Sequence, residues 1–183
     1  EGLTREEVFQ QVSFSLHKGE ILGLAGLKGA GRPEVARAIV GADKLSAGRI
    51  FIEGKPVSIH SPVDALKHGI GYLPEERKLQ GLFLHLPVYN NIVVADLKRF
   101  SRYGIMNTQL EKATSNHYVD QLDIRTPGVE QLVGRLSGGN QQKVMLAKWL
   151  LTNPKILIVD EPTHGIDVGA KVEIHALLNE LSQ

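Results

Sequence analysis

Leu136-Ser137-Gly138-Gly139-Asn140-Gln141-Gln142, then a helical pattern closed by Asn153-Pro154, then Ile156-Leu157-Ile158-Val159-Asp160-Glu161-Pro162-Thr163, is the most informative stretch of this chain. Four apolar residues ending in two acids suit a short strand buried on both faces, with its carboxylates at the C-terminal edge. In an open parallel sheet that edge is where ligands bind. Adjacent carboxylates serve no core. One can hold a magnesium ion through water, and the other can orient or deprotonate an attacking water. A strand that merely ends in two solvated acids would read the same in isolation. The residues upstream separate the two cases. Ser137-Gly138-Gly139 offers a hydroxyl, two residues without side chains and free amides at a helix start, the parts of an anion site. Val144, Ala147 and Leu151 then fall on one face before Asn153-Pro154 stops the helix.

The N-terminal third carries a second phosphate-type element. Val12, Phe14 and Leu16 alternate with Ser13, Ser15 and His17, which predicts a half-exposed strand, and Ile21-Leu22-Gly23-Leu24-Ala25 predicts a buried one. Gly26-Leu27-Lys28-Gly29-Ala30-Gly31-Arg32-Pro33 follows, and an apolar helix runs through Val35, Ala38 and Ile39. Strand, glycine loop and helix is the context that a phosphate-binding P-loop requires. The glycine spacing fits G-x-x-x-x-G-K-[ST], but the last two positions depart from it. Arg32 replaces a compact lysine charge with a planar, bulkier fork. Pro33 has neither a hydroxyl for magnesium nor an N–H for phosphate, though it suits the first turn of a helix.

Together, Leu-Ser-Gly-Gly-Asn-Gln-Gln and the strand ending in Asp160-Glu161-Pro162-Thr163 resemble the ATP-binding cassette of ABC transporters. Its signature loop is Leu-Ser-Gly-Gly-Gln, and its Walker B strand ends in Asp-Glu. The resemblance implies an α/β P-loop NTPase core of the RecA-like kind. It would have a parallel sheet, an antiparallel β subdomain and an inserted helical subdomain. Residues 1–86 and 136–183 would form the core with its β subdomain, and residues 87–135 the helical insertion. The Arg-for-Lys loop, Glu75-Glu76-Arg77-Lys78 and Asp160 to Lys171 narrow the likeness. They resemble the second cassette of fused double-cassette proteins that power bacterial importers of ribose, galactose and xylose.

The chain between these motifs fits that plan. Arg49 to Lys55 and Val57 to Ile59 predict a strand, a tight turn and a returning strand. Ser61-Pro62 opens a short helix that Gly69 closes, and Ile70-Gly71-Tyr72-Leu73 predicts the next buried strand. Glu75 then stands where cassettes carry the Q-loop glutamine, which implies a ligand for magnesium or for a water; a solvated charged loop is the alternative. From Pro87 to Arg135 patterned helices are expected, without a glycine loop or a strand ending in acids, and with Leu110, Ala113 and Leu122 among their apolar positions. Asp167 matches the D-loop aspartate, and Ile174, Leu177, Leu178 and Leu181 predict a final amphipathic helix. His164 is not the switch histidine, which the family places on a later strand; the chain reaches Gln183 first and is expected to be C-terminally truncated.

Composition excludes several other classes. Charge is balanced, 21 basic against 20 acidic residues, and gives no argument for nucleic acid. There is no cysteine, so no disulfide framework or thiol nucleophile is available. The 7 histidines lack metal-ligand spacing. No apolar run is long enough to cross a bilayer.

The roles implied by the resemblance are specific. ATP and Mg2+ are the cofactors. Gly26, Leu27, Lys28, Gly29, Ala30, Gly31, Arg32 and Pro33 bind nucleotide. Asp160 and Glu75 hold the metal, and Glu161 acts as general base or water-orienting group. Ser137, Gly138, Gly139, Asn140 and Gln141 grip the ATP held by a partner cassette. Membrane permease subunits and, indirectly, a periplasmic sugar-binding protein complete the expected assembly at the cytoplasmic face of the inner membrane. Two alternatives stay open: a regulatory cassette that binds nucleotide with little turnover, and a soluble ABC protein not tied to transport.

Overall fold

Ile70–Leu73 and Ile156–Val159 lie side by side in parallel, Ile70 opposite Ile156 and Leu73 opposite Val159. Parallel strands cannot be joined by a hairpin, so the intervening chain makes a long crossover that carries most of the helices. The computed structural model describes residues 1–27 and 29–183; the candidate nucleotide ligand Lys28 lies outside the described residues.

In chain order, β1 (Leu3–Arg5) and β2 (Phe9–Val12) form an antiparallel pair. Helix α1 (Arg32–Ile39) covers it, packing Val35 and Ala38 against Leu3 and Phe9. The hairpin of β3 (Ile50–Ile52) and β4 (Lys55–Val57) turns at Glu53-Gly54, both left-handed (φ 52 and 73), as a two-residue primed turn demands. In α2 (Pro62–Lys67) the Ser61 hydroxyl accepts the Asp64 amide at 3.2 Å, and Pro62 sits where no intrahelical N–H is needed. Gly69, at φ 76, turns the chain into β5 (Ile70–Leu73). Helices α3 (Val88–Val93) and α4 (Leu97–Phe100), a small hairpin of β6 (Ser101–Arg102) and β7 (Ile105–Met106), and α5 (Thr108–Gln121) follow. The chain then forms α6 (Gly138–Leu150), β8 (Ile156–Val159) and α7 (Val168–Leu181). Leu73, Val88, Ile92, Leu122, Val133 and Val144 share the largest core, which seats α3 and α6 against β5.

Four expectations from sequence are corrected. Residues 13–27 belong to no strand, and Ile21, Leu22 and Leu24 are exposed. A strand buried on both faces needs a neighbour to complete its backbone ladder, and no described strand lies beside this segment. β2 stops at Val12, so the predicted alternation through Leu16 has no partner either. β8 is half-buried along its whole length rather than fully enclosed, because β5 is its single described strand neighbour. In α5, Leu110 and Ala113 are exposed while Glu111 and Ser115 are buried. The Asn107 side chain accepts the Leu110 amide at 3.0 Å and fixes where that helix begins, so its inward stripe runs through Glu111, Ser115 and Leu122.

Asn91, fully buried in α3, ties down the turn that follows β5. Its Oδ1 accepts the Phe83 amide at 2.7 Å, and its Nδ2 donates to the carbonyls of Phe83 and Pro87 at 3.0 Å each. Asn91→Leu strands that amide without a partner, a loss of about 1–3 kcal/mol per buried group. The midpoint of urea unfolding should fall accordingly, with the slope unchanged.

Candidate nucleotide site

The ladder of β5 and β8 continues one residue past its strands, where the Asp160 amide donates to the Leu73 carbonyl at 2.9 Å. This brings Glu75, Asp160 and Glu161 to one edge of the sheet. Asp160 Oδ2 accepts from the Tyr72 hydroxyl at 3.3 Å. Burial pushes the Asp160 acid up from its ordinary range; Tyr72 opposes this, the charges of Glu75 and Glu161 add to it, and Arg32 opposes it. The Tyr72 phenol is raised in turn, first by burial and then by the Asp160 charge. Glu161 takes a left-handed backbone conformation (φ 43), uncommon for a residue with a side chain, and its carboxylate lies 3.2 Å from Arg32 Nη1. Glu75 Oε1 stands 3.7 Å from His164 Nδ1.

The glycine loop meets this edge through Arg32. Gly29 and Gly31 are both left-handed at φ 84, and Gly31 leads directly into α1 with Pro33 in its first turn. Leu27, Gly29 and Ala30 are exposed. Arg32 Nε is buried and has no hydrogen-bond partner. An orphaned cationic donor beside a glycine loop and a helix start suits an anion with several oxygens. Among the described residues, no group of three or more His, Cys, Asp or Glu side chains forms a complete metal site. The acids present fit instead a hard cation that takes part of its coordination from a phosphate.

The signature residues serve a different contact. Ser137 caps α6 and accepts from Asn140 Nδ2 at 2.9 Å, while Asn140 Oδ1 accepts the Arg125 amide at 2.8 Å. Gln141 is buried and donates to the Leu136 carbonyl at 3.1 Å. Both side-chain amides therefore bond within the chain. A Cβ on Gly138 would lie 2.9 Å from Arg77 Nη2, and one on Gly139 would lie 2.7 Å from the Cβ of Ala170. The two glycines thus let α6 approach the loop after β8 and the first turn of α7. Asp167 caps α7, its Oδ1 accepting the Ala170 amide at 2.9 Å. A cleft of about 210 Å³ opens between Ser137, Asn140, Asp167 and Ala170. The structure thus groups the sequence-predicted residues into two clusters, the acids with the glycine loop and the signature with Asp167. Arg77 was missed as a structural residue: among Glu75, Glu76 and Lys78 it reads as surface charge, and its burial has no local signal.

A P-loop helix facing the acidic end of a parallel strand defines a P-loop NTPase. Solved structures agree on that fold: a nucleotide-free ATP-binding cassette matches with a TM-score of 0.82 at 22% identity, covering 98% of this chain and 74% of that one. A dimeric post-hydrolysis cassette bound to ADP and Pi matches at 0.78 and 22% identity, over 98% of this chain and 78% of that one. The ABC transporter family matches residues 9–164, and the chain belongs to that family. A putative ribose/galactose/methyl galactoside import ATP-binding protein of Burkholderia lata is 54% identical over 99% of this chain and 36% of its own length. One from Agrobacterium fabrum is 52% identical over the whole chain and 36% of its own length. The ribose import ATP-binding protein of Lacticaseibacillus paracasei is 48% identical over 99% of the chain and 36% of its own length. The chain thus spans 36% of the length of these relatives.

The contact between α6 and α7 can be tested directly. Gly139→Ala forces two methyl groups to 2.7 Å, and overpacking of this kind costs about 1–3 kcal/mol. Ala170→Gly in the same molecule vacates that space. Thermal unfolding of the four members of the cycle should show a loss in Gly139→Ala that the double variant largely recovers.

Proposed function

We propose that the chain is the ATP-binding and hydrolysing part of a bacterial monosaccharide importer, drawn from the second of two cassettes. The observation that carries this reading is the 3.2 Å approach of Arg32 to Glu161, which sets the phosphate loop against the acidic strand end. The sugar-import names of relatives at 48–54% identity support the transport role.

Gly26, Gly29, Ala30 and Gly31 offer backbone amides to the phosphates, with Leu27 and Lys28 completing the loop. Arg32 supplies the positive charge. Asp160 and Glu75 would hold Mg2+ through water. Bound there, the ion would neutralise charge developing on the transferred phosphoryl group. Glu161 orients the attacking water or accepts its proton. Ser137, Gly138 and Gly139 close on a nucleotide held by a partner cassette, with Asn140 and Gln141 bracing the helix behind them and Asp167 lining the same cleft. Residues 87–135 act as the helical subdomain that passes movement to membrane permease subunits. The assembly sits at the cytoplasmic face of the inner membrane, and a periplasmic binding protein selects the sugar.

One observation favours a second reading, a cassette that binds nucleotide with little turnover. Pro33 brings neither an N–H nor a hydroxyl to the first turn of α1. Calorimetric titration of Pro33→Thr separates the effects. A hydrogen bond to a charged group contributes roughly 1.5–3 kcal/mol, so Mg-ATP should bind the variant about tenfold more tightly than wild type, with a smaller gain in EDTA. Hydrolysis by the natural polypeptide that carries this chain, abolished by Glu161→Gln, is the expected result for an active cassette. Turnover that Glu161→Gln leaves unchanged would overturn the ATPase reading of this half-site.

A further inference from the structure

We propose that Arg77 is a positioning residue that sets the separation between the acidic strand end and the signature helix; the consequence for turnover rests on the ATPase reading above. Arg77 opens the single turn of wide helix, Arg77–Gly81, that follows β5. It is 8% exposed, and no carboxylate pairs with it among the described residues. Its guanidinium bonds neutral oxygens instead. Nη1 donates to the His164 carbonyl at 2.7 Å, Nη2 to the Gly165 carbonyl at 3.0 Å, and Nε to Gln141 Oε1 at 3.4 Å. Gln141 passes the link on to the Leu136 carbonyl, directly before the signature serine.

A buried cation without a counter-ion is a poor device for stability alone. A planar fork that spans two successive carbonyls is a good device for fixing geometry. The carbonyls it fixes lie between Glu161 and Asp167, and the helix it fixes begins with Ser137-Gly138-Gly139. Gly138 leaves the space that Nη2 occupies.

The rest of the turn holds Arg77 at a constant height on α6. Lys148 Nζ donates to the Gly81 carbonyl at 2.6 Å, so Gln141 and Lys148 pin the two ends of the turn along one face of α6. A Cβ on Gly81 would collide with the Met145 sulfur, so the turn lies flat on the helix between these pins. A shift of the signature helix therefore carries the 164–165 loop with it.

Amide hydrogen exchange on the chain, read by mass spectrometry, tests the positioning without any nucleotide. In Arg77→Met, amides 164–170 should exchange at least tenfold faster, while peptides of β5 and β8 stay within about twofold of wild type. Arg77→Lys, which keeps the charge but cannot span two carbonyls, should fall between; it carries the same test if Arg77→Met does not fold. Steady-state hydrolysis by the natural polypeptide should show kcat reduced tenfold or more, with KM for ATP changed less than threefold. Unchanged exchange at 164–170, or an equal rise across the whole chain, overturns the proposal. A parallel loss in kcat and in ATP affinity also overturns it, because that pattern marks general destabilisation. A wild-type polypeptide without hydrolysis sinks the ATPase reading instead and leaves the exchange result to decide the role of Arg77.

Discussion

The candidate site hangs on the parallel pairing of Ile70 to Leu73 with Ile156 to Val159. Because the two strands end level, Glu75 and Asp160-Glu161 emerge at the same edge. A slip of one residue would turn every side chain of one strand to the opposite face and send Asp160 away from Tyr72. The register is locked at its start: the Gly69 carbonyl accepts the amides of Lys155 and Ile156 at 2.8 and 3.0 Å. It is also locked sideways. A Cβ at Gly71 would lie 3.1 Å from Leu157 and 3.5 Å from Trp149, so the end of α6 packs closely over the ladder.

Helix α6 is the second fixed body, and its polar residues explain how. Its apolar residues Val144, Met145, Leu146 and Ala147 fill the core, yet Gln141, Lys143 and Lys148 are buried as well. All three tie the helix to neighbouring segments, Gln141 and Lys148 to the two ends of the same turn. Gln141 reaches the residues just ahead of the helix and Arg77, Lys143 pairs with Glu173 of α7 at 2.9 Å, and Lys148 holds Gly81. Loss of water around Lys148 pulls its ammonium down to about 8.

Much of this was legible in the residues, and the failures share a cause. Caps, turns and acids are local chemistry: Ser61, Ser137 and Asp167 cap the helices they precede, and Glu53-Gly54 makes the expected turn. Arg32, at the end of the glycine loop, lies 3.2 Å from Glu161. What the sequence does not carry is the partner of a segment. Ile21 to Ala25 has the composition of a buried strand, but burial depends on what lies alongside, and that is a property of other residues. Leu110 likewise has an apolar side chain on a helix whose inward stripe is set by its cap and its neighbours. Arg77 shows the reverse, a charged residue in a charged run whose interior position depends on oxygens 87 and 88 positions away.

The uncovered run from Ser13 to Leu27 also decides how the molecule behaves among its own kind. Ile21, Leu22 and Leu24 are 59%, 40% and 45% exposed, on backbone that no described strand pairs. Apolar side chains beside free amides and carbonyls form the kind of surface that zips onto a like surface on another copy. A net charge of +1 adds little repulsion to keep copies apart. In a test tube this is a colloidal matter more than a catalytic one. Raising the concentration favours that contact.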